Sequence, residues 1–323
     1  MLTRRSVIAG ASAFCALAAA TPRSVGAWTK PRTAVSFEIP RGACDAHVHV
    51  IGDPERFPMS PRRDNTPHPA TSEELVQNLQ FLHLDRVVIV TPSIYDCDNR
   101  ATLAAIDQVG RDRARGVGFV SRTMAPEFLD SLRHGGIAGI RVVPVGANGF
   151  DTAAATRQLK FVSSIAEPRG WHLQISAPPE VISAIRTELA SCPVPLVLDY
   201  FGWVAGGIDQ EGFDAILSLV QSGRAYVKFS EPYRLSKQPP DYEDLRPVVQ
   251  ALLAMNPDRL LWGSGWPHVS GGEPGRSRYE LTPFLPIDDG ALLNLLASWV
   301  PDADTRRKIL VDNPARLYGF QGA

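Results

Sequence analysis

From Arg86 onward the chain repeats one pattern: a short run of consecutive apolar residues, then a stretch in which apolar positions recur every three or four. Such a run reads as a strand buried on both faces, and the wider spacing as a helix with one face buried. Arg86 to Pro92 opens the series, with a helix over Asn99 to Arg111. Gly116 to Val120 is followed by a helix through Glu127 to His134, and Ile137 to Pro144 by one around Arg157 to Glu167. His172 to Ser176 precedes a helix from Glu180 to Ala190, and Leu196 to Tyr200 one from Phe213 to Ser222. Ala225 to Ser230, a helix around Leu245 to Met255, the strand Arg259 to Ser264, and helices from Asp289 and Asp302 complete the chain.

One earlier strand alternates instead. In Ala43-Cys44-Asp45-Ala46-His47-Val48-His49-Val50 a period of two sets Asp45, His47 and His49 on one face and the apolar residues on the other. With it, eight strands alternate with helices, and the predicted fold class is α/β, a single (β/α)8 TIM barrel. An open doubly wound sheet would usually carry a glycine-rich phosphate turn after its first strand, and the sequence has none there. Chemistry in a parallel barrel collects at the C-terminal ends of the strands. The polar residues His47, His49, Ser93, Tyr95, Arg141, Ser176, Tyr200, Lys228, Glu231, Arg234 and His268 fall there. Between the first two strands, Ile51 to Thr71 forms a proline-stiffened loop carrying Arg63, expected to be an ordered lid. Thr71-Ser72-Glu73-Glu74 has the spacing of a capping box.

Composition narrows this picture without changing it. At 323 residues, 44% hydrophobic and 21% charged, the chain has the make-up of a soluble globular protein. A formal net charge of -1 argues against a nucleic-acid groove or a basic membrane face. Residues 1–27 stand apart: Arg4-Arg5 precede an apolar run from Val7 to Ala20, the layout of a twin-arginine export signal cleaved after Ala20 or Ala27. The expectation is a periplasmic protein, residues 28–323, with no stable membrane association after cleavage. Cys44, Cys97 and Cys192 are too widely spaced for a zinc pattern, leaving one bridge or free thiols as alternatives.

At this point the motifs resemble a known family. His47-x-His49, the loop Phe57-Pro58-Met59-Ser60-Pro61-x-Arg63, Trp262-Gly263-Ser264-Gly265-Trp266-Pro267-His268 and the closing Asp312-Asn313-Pro314-Ala315-x-Leu317-Tyr318 are similar to the amidohydrolase-related (amidohydrolase 2) proteins. Within these, the pattern lies nearest the 2-pyrone-4,6-dicarboxylate lactonases and D-galactarolactone isomerases. The resemblance runs from about Gly42 to Tyr318. It implies an amidohydrolase-type barrel that opens or rearranges a cyclic ester without a tightly required metal. An acid on the eighth strand would help activate water, with histidines and arginines holding the lactone. Carried over by motif, His47 and His49 match the first-strand pair, Ser93 a polar group after strand two, and Arg141 and Arg234 arginines that grip substrate carboxylates.

Two departures bear on the chemistry. The eighth-strand acid of the lactonase pattern is Gly265 here, and the sixth-strand Asp-His pair reads Asp199-Tyr200. His47 and His49 alone under-coordinate a divalent ion, so no metal and no cofactor are expected. Glu231 stands where the relatives usually have glycine, and is assigned as the replacement general base, with His47 or His49 polarising the carbonyl and Tyr200 donating to an oxygen. His268 completes the catalytic set. Substrate-binding roles fall to Arg63, Ser93, Tyr95, Arg141, Trp203, Tyr233 and Arg234. The partner is then a small-molecule lactone, carboxylated or sugar-derived, and the protein a monomer or small homo-oligomer. An aldaric-lactone isomerase and a non-catalytic binding barrel are the alternatives; Glu231 and Tyr200 both facing the cavity beside His47 and His49 would favour an enzyme, and Glu231 turned outward a binding role.

Overall fold

The computed structural model describes residues 28–146, 149–272 and 275–321; the expected export signal at 1–27 lies outside them. Eight parallel strands form one sheet: β1 Cys44–Val48, β2 Arg86–Val90, β3 Ala114–Gly118, β4 Ile137–Val142, β5 His172–Ile175, β6 Leu196–Leu198, β7 Ala225–Ser230 and β8 Leu260–Gly263, each paired with the next. The sheet curls until β8 reaches β1. There Gly265 N donates to His47 O (2.8 Å), His49 N to Trp266 O (2.7 Å), and Ser264 N to the Asp45 carboxylate (3.0 Å). The strands are near-continuous apolar runs because both faces are covered, the inner one by the barrel core and the outer by helices. The predicted (β/α)8 barrel is the architecture found.

Local signals place most of the ends. Helix α1, Ser72–Phe81, begins with the expected capping box, Glu74 N bonding to the Thr71 hydroxyl and Thr71 N to the Glu74 carboxylate. The single helix expected over Glu180 to Ala190 is broken at Ile185 into two short ones. The 51–71 loop is ordered, tied by an Ile51–Ala70 bridge and by pairing of Thr66–Pro67 with Leu281–Thr282. Tyr318 and Phe320 close the N-terminal end of the barrel against Cys44, Val88 and Val117. Cys44, Cys97 and Cys192 are free thiols.

Candidate active site

The polar groups meet at the C-terminal end of the barrel. Asp45, midway along β1, spends its carboxylate on the backbone, accepting from His47 N (3.1 Å) and Ser264 N. It thereby ties the strand that carries the histidines to the segment after β8. Burial raises its pKa to about 7, with the Ser264 hydrogen bond opposing.

His47 is fully buried and flanked on both ring nitrogens. Nδ1 lies 3.3 Å from Asp199 Oδ1 and 3.4 Å from the Lys228 ammonium; Nε2 faces Glu231 Oε1 at 3.9 Å. Lys228 also donates to Gln174 Oε1 (2.7 Å), and Gln174 donates to Asp199 Oδ2 (3.2 Å), closing a buried ring of polar side chains. Burial alone would raise Asp199, but His47 and Lys228 beside it outweigh this and hold the carboxyl well below its usual range. Burial and Lys228 lower His47.

His49 has an assigned tautomer. Its Nδ1 lies 2.7 Å from the Val90 carbonyl, which only accepts, so Nδ1 carries the proton and Nε2 is left as the lone-pair atom. Burial, then His47 and Arg141, keep the ring far below its ordinary pKa. His49 is therefore neutral at ordinary pH.

Glu231 is held in a left-handed backbone conformation (φ 51°) just beyond β7. Its Oε2 is taken by Arg234 Nε and by the Tyr233 hydroxyl (3.1 Å), leaving Oε1 turned toward His47. The reason it fits is Gly265. A Cβ added there would stand 2.2 Å from Glu231 Cγ and 2.9 Å from Oε1. The absence of a side chain at 265 leaves the volume that the glutamate fills.

A cavity of about 530 Å³ opens beside this cluster, with His49, Ser93, Arg141, Tyr200, Trp203 and Arg234 in its lining; His47 and Glu231 lie buried behind that lining. Tyr200 lies over His47, ring centroids 5.5 Å apart. Its oxygen accepts from Arg141 Nη2 (3.4 Å), freeing its own proton for donation. Burial and then Glu231 push the phenol above its ordinary pKa, so it stays protonated. Arg141 has no carboxylate within ion-pair distance among the described residues; it donates to Thr91 O and leaves Nε unpartnered.

Other assigned residues sit elsewhere. Arg63 bonds Thr66 and the Ser60 carbonyl and lies over the Tyr279 ring, turned away from the cavity that its neighbours Asp64 and Asn65 line. Tyr95 is buried, its hydroxyl accepting from Gly52 N to pin the lid. Both are corrected to roles in lid structure. His268 is fully buried behind the site: Nδ1 lies 3.0 Å from the Tyr233 hydroxyl and Nε2 2.9 Å from Asp289. It and Tyr233 support Glu231 from behind instead of lining the cavity. Asp199, noted only as the acid of the sixth-strand pair, and Gln174 were missing from the assigned set; the one signal for Gln174 was a polar residue interrupting an apolar run.

The ligand count also changes. His47, His49 and Glu231 each offer one donor atom, all within 4.8 Å of one another, so Glu231 supplies the third ligand that the histidine pair lacked. Three buried donors, two of them (His47 Nε2 and Glu231 Oε1) without a hydrogen-bond partner, fit a divalent ion. Such an ion would polarise a carbonyl or a bound water. The nearby cationic groups Lys228, Arg141 and Arg234 oppose it electrostatically.

A parallel barrel with an acid–base cluster at its C-terminal mouth has the form of an α/β enzyme. The family model for amidohydrolases matches residues 44–320, and the chain belongs to that family. It is similar to the 4-sulfomuconolactone hydrolase of Rhizobium radiobacter, 33% identical over 88% of this chain and 92% of that one. It is also similar to the 2-pyrone-4,6-dicarboxylate hydrolase of Comamonas testosteroni, 31% identical over 90% of this chain and 94% of that one. Among solved structures, an Agrobacterium tumefaciens protein superposes with a TM-score of 0.75 at 25% identity, covering 90% of this chain and all of that one.

Proposed function

We propose that the protein is a hydrolase that opens a lactone bearing an anionic group, by acid–base chemistry without a metal. The observation that carries this is the Glu231 carboxylate, seated in the space left by Gly265 and facing His47 across 3.9 Å. One water oxygen can hydrogen-bond both atoms at that spacing. Glu231 Oε1 takes a proton from this water as its oxygen adds to the ester carbonyl. Tyr200, polarised by Arg141, donates a hydrogen bond to the oxygen on which charge develops. The ring C–O bond then breaks, and the proton held by Glu231 passes to the leaving oxygen, giving a hydroxy acid and returning the carboxylate. Arg141, with no carboxylate in ion-pair distance among the described residues, holds the substrate's anionic group. The lactone-acting names of the relatives support the substrate class.

Replacing Glu231 by Gln should lower kcat by about 100-fold or more, the scale of a general base, on a lactone panel assayed before and after dialysis against chelator. Unchanged turnover in the variant sinks the assignment; loss on chelation sinks the metal-free mechanism. We further propose that residues 1–27 direct export to the periplasm. Periplasmic fractionation of the native chain against an Arg4→Lys, Arg5→Lys variant tests this.

A further inference from the structure

The cavity is two-sided, and the side away from the acid–base cluster has a chemistry that hydrolysis of a small polar lactone does not need. Around the barrel, the loops after β4 and β8 face each other. The β1 and β8 loops supply Asp64, Asn65 and Ser270, a polar wall. The loops after β3, β4 and β6 supply Phe119, Val143, Val145, Phe150 and Trp203, an apolar one.

Val145 and Phe150 are paired across a two-stranded hairpin rising beside the mouth. They are 51% and 39% exposed, large apolar side chains left in solvent where they line the cavity. Phe150 meets the Trp203 ring edge-on at 5.6 Å, and Trp203 meets Tyr200 at 5.4 Å, so the apolar wall is continuous with the reacting centre. Trp203 is fixed there by its indole N–H bonding to Ser176. Arg141 sits where the wall begins, its guanidinium 5.9 Å from the Phe119 ring. The volume, about 530 Å³, is in the range that encloses a drug-sized molecule and exceeds what a bare carboxylated lactone ring fills.

Resting on the lactone reading, we infer that the substrate is an amphipathic lactone: one anionic group at Arg141 and an aryl or alkyl arm lying on the wall of Val145, Phe150 and Trp203. A second carboxylate in place of the arm would meet apolar rings and lose its hydration without a partner. A polyhydroxylated chain would fare likewise on that side.

The test uses a carboxylated γ-butyrolactone with and without a ring phenyl group, a dicarboxylated lactone, and the matching non-hydrolysable cyclic-ether carboxylates. The phenyl compound should exceed the unsubstituted one in kcat/KM by about 10-fold or more, the scale of apolar discrimination in a pocket. Phe150→Ser should remove most of that ratio while leaving the unsubstituted lactone within about 2-fold. Preference for the dicarboxylated or unsubstituted lactone, or a ratio untouched by Phe150→Ser, overturns the inference. Calorimetric titration with the ethers separates the two readings. If no lactone is opened but the phenyl ether binds about 10-fold tighter than the plain one, the arm site stands and the hydrolase reading fails. If the ethers bind alike, the arm site fails whatever the turnover.

Discussion

Two histidines are buried in this barrel to nearly the same degree, and their surroundings differ in kind. His172 opens β5, near the end plugged by Tyr318, whose ring lies 5.2 Å away. It packs where Gly139 on the paired strand leaves no Cβ, one of which would stand 2.2 Å from the imidazole. Burial, with Lys228 adding, pushes it down to about 3, so it is a neutral packing group. His47 lies near the other end of its strand, with Asp199 at one nitrogen and Glu231 facing the other. Burial makes neither histidine reactive. What sets His47 apart is a carboxylate facing each of its ring nitrogens.

Breaking the arrangement around His47 should cost most when the displaced atom is Glu231. Gly265→Ala puts a methyl against the Glu231 side chain, at a residue with φ +81° that alanine adopts only with strain. We expect kcat to fall by roughly 100-fold, the scale of an ångström-level misplacement, with an unchanged far-ultraviolet circular dichroism spectrum. Tyr233→Phe removes one of two donors holding Oε2 and leaves Arg234 in place. About a 10-fold loss in kcat with little change in KM is expected, in line with one hydrogen bond to a charged group. If KM rises instead, Tyr233 binds substrate and does not position the acid.

A third prediction concerns pH. Lys228 is lowered from 10.5 to about 8 by burial, with Asp199 opposing. Above about 8 the native barrel has released this proton while the unfolded chain still holds it, up to its ordinary value. The unfolded state then binds more protons, so the Lys228 contribution to stability rises with pH across that window. Activity should move the opposite way, because Asp199 and His47 lose the ammonium between them. Urea melts and kcat measured on either side of the window check both signs, and Lys228→Met should abolish the alkaline limb. The smallest effect belongs to the other histidine: His172→Phe should leave kcat within about 2-fold, since its role is packing. A large loss there would erase the contrast.

Much of the architecture was legible in advance, for a local reason. Val87 to Val90, Leu196 to Leu198 and Leu260 to Leu261 are apolar runs because barrel strands are buried on both faces, and that demand is written on consecutive residues. The helix break at Ile185 was not visible, since nothing in the residue type marks it. Of the site, the residues at the strand ends were found, but their directions were not. Arg63 looked free until Thr66, Ser60 and Tyr279 were seen to occupy it. His268 looked catalytic until the turn after Trp266-Pro267 set it against Tyr233 and Asp289.

The amino-acid order by itself determined the eight-fold alternation, the histidine pair, the acid at 231 and the glycine at 265. Only the folded chain decided that these two positions share one space. Residues 231 and 265 share no local periodicity, and what couples them is volume: the side-chain space absent at one is occupied by the other. Excluded volume between distant segments exists only once β7 and β8 lie side by side.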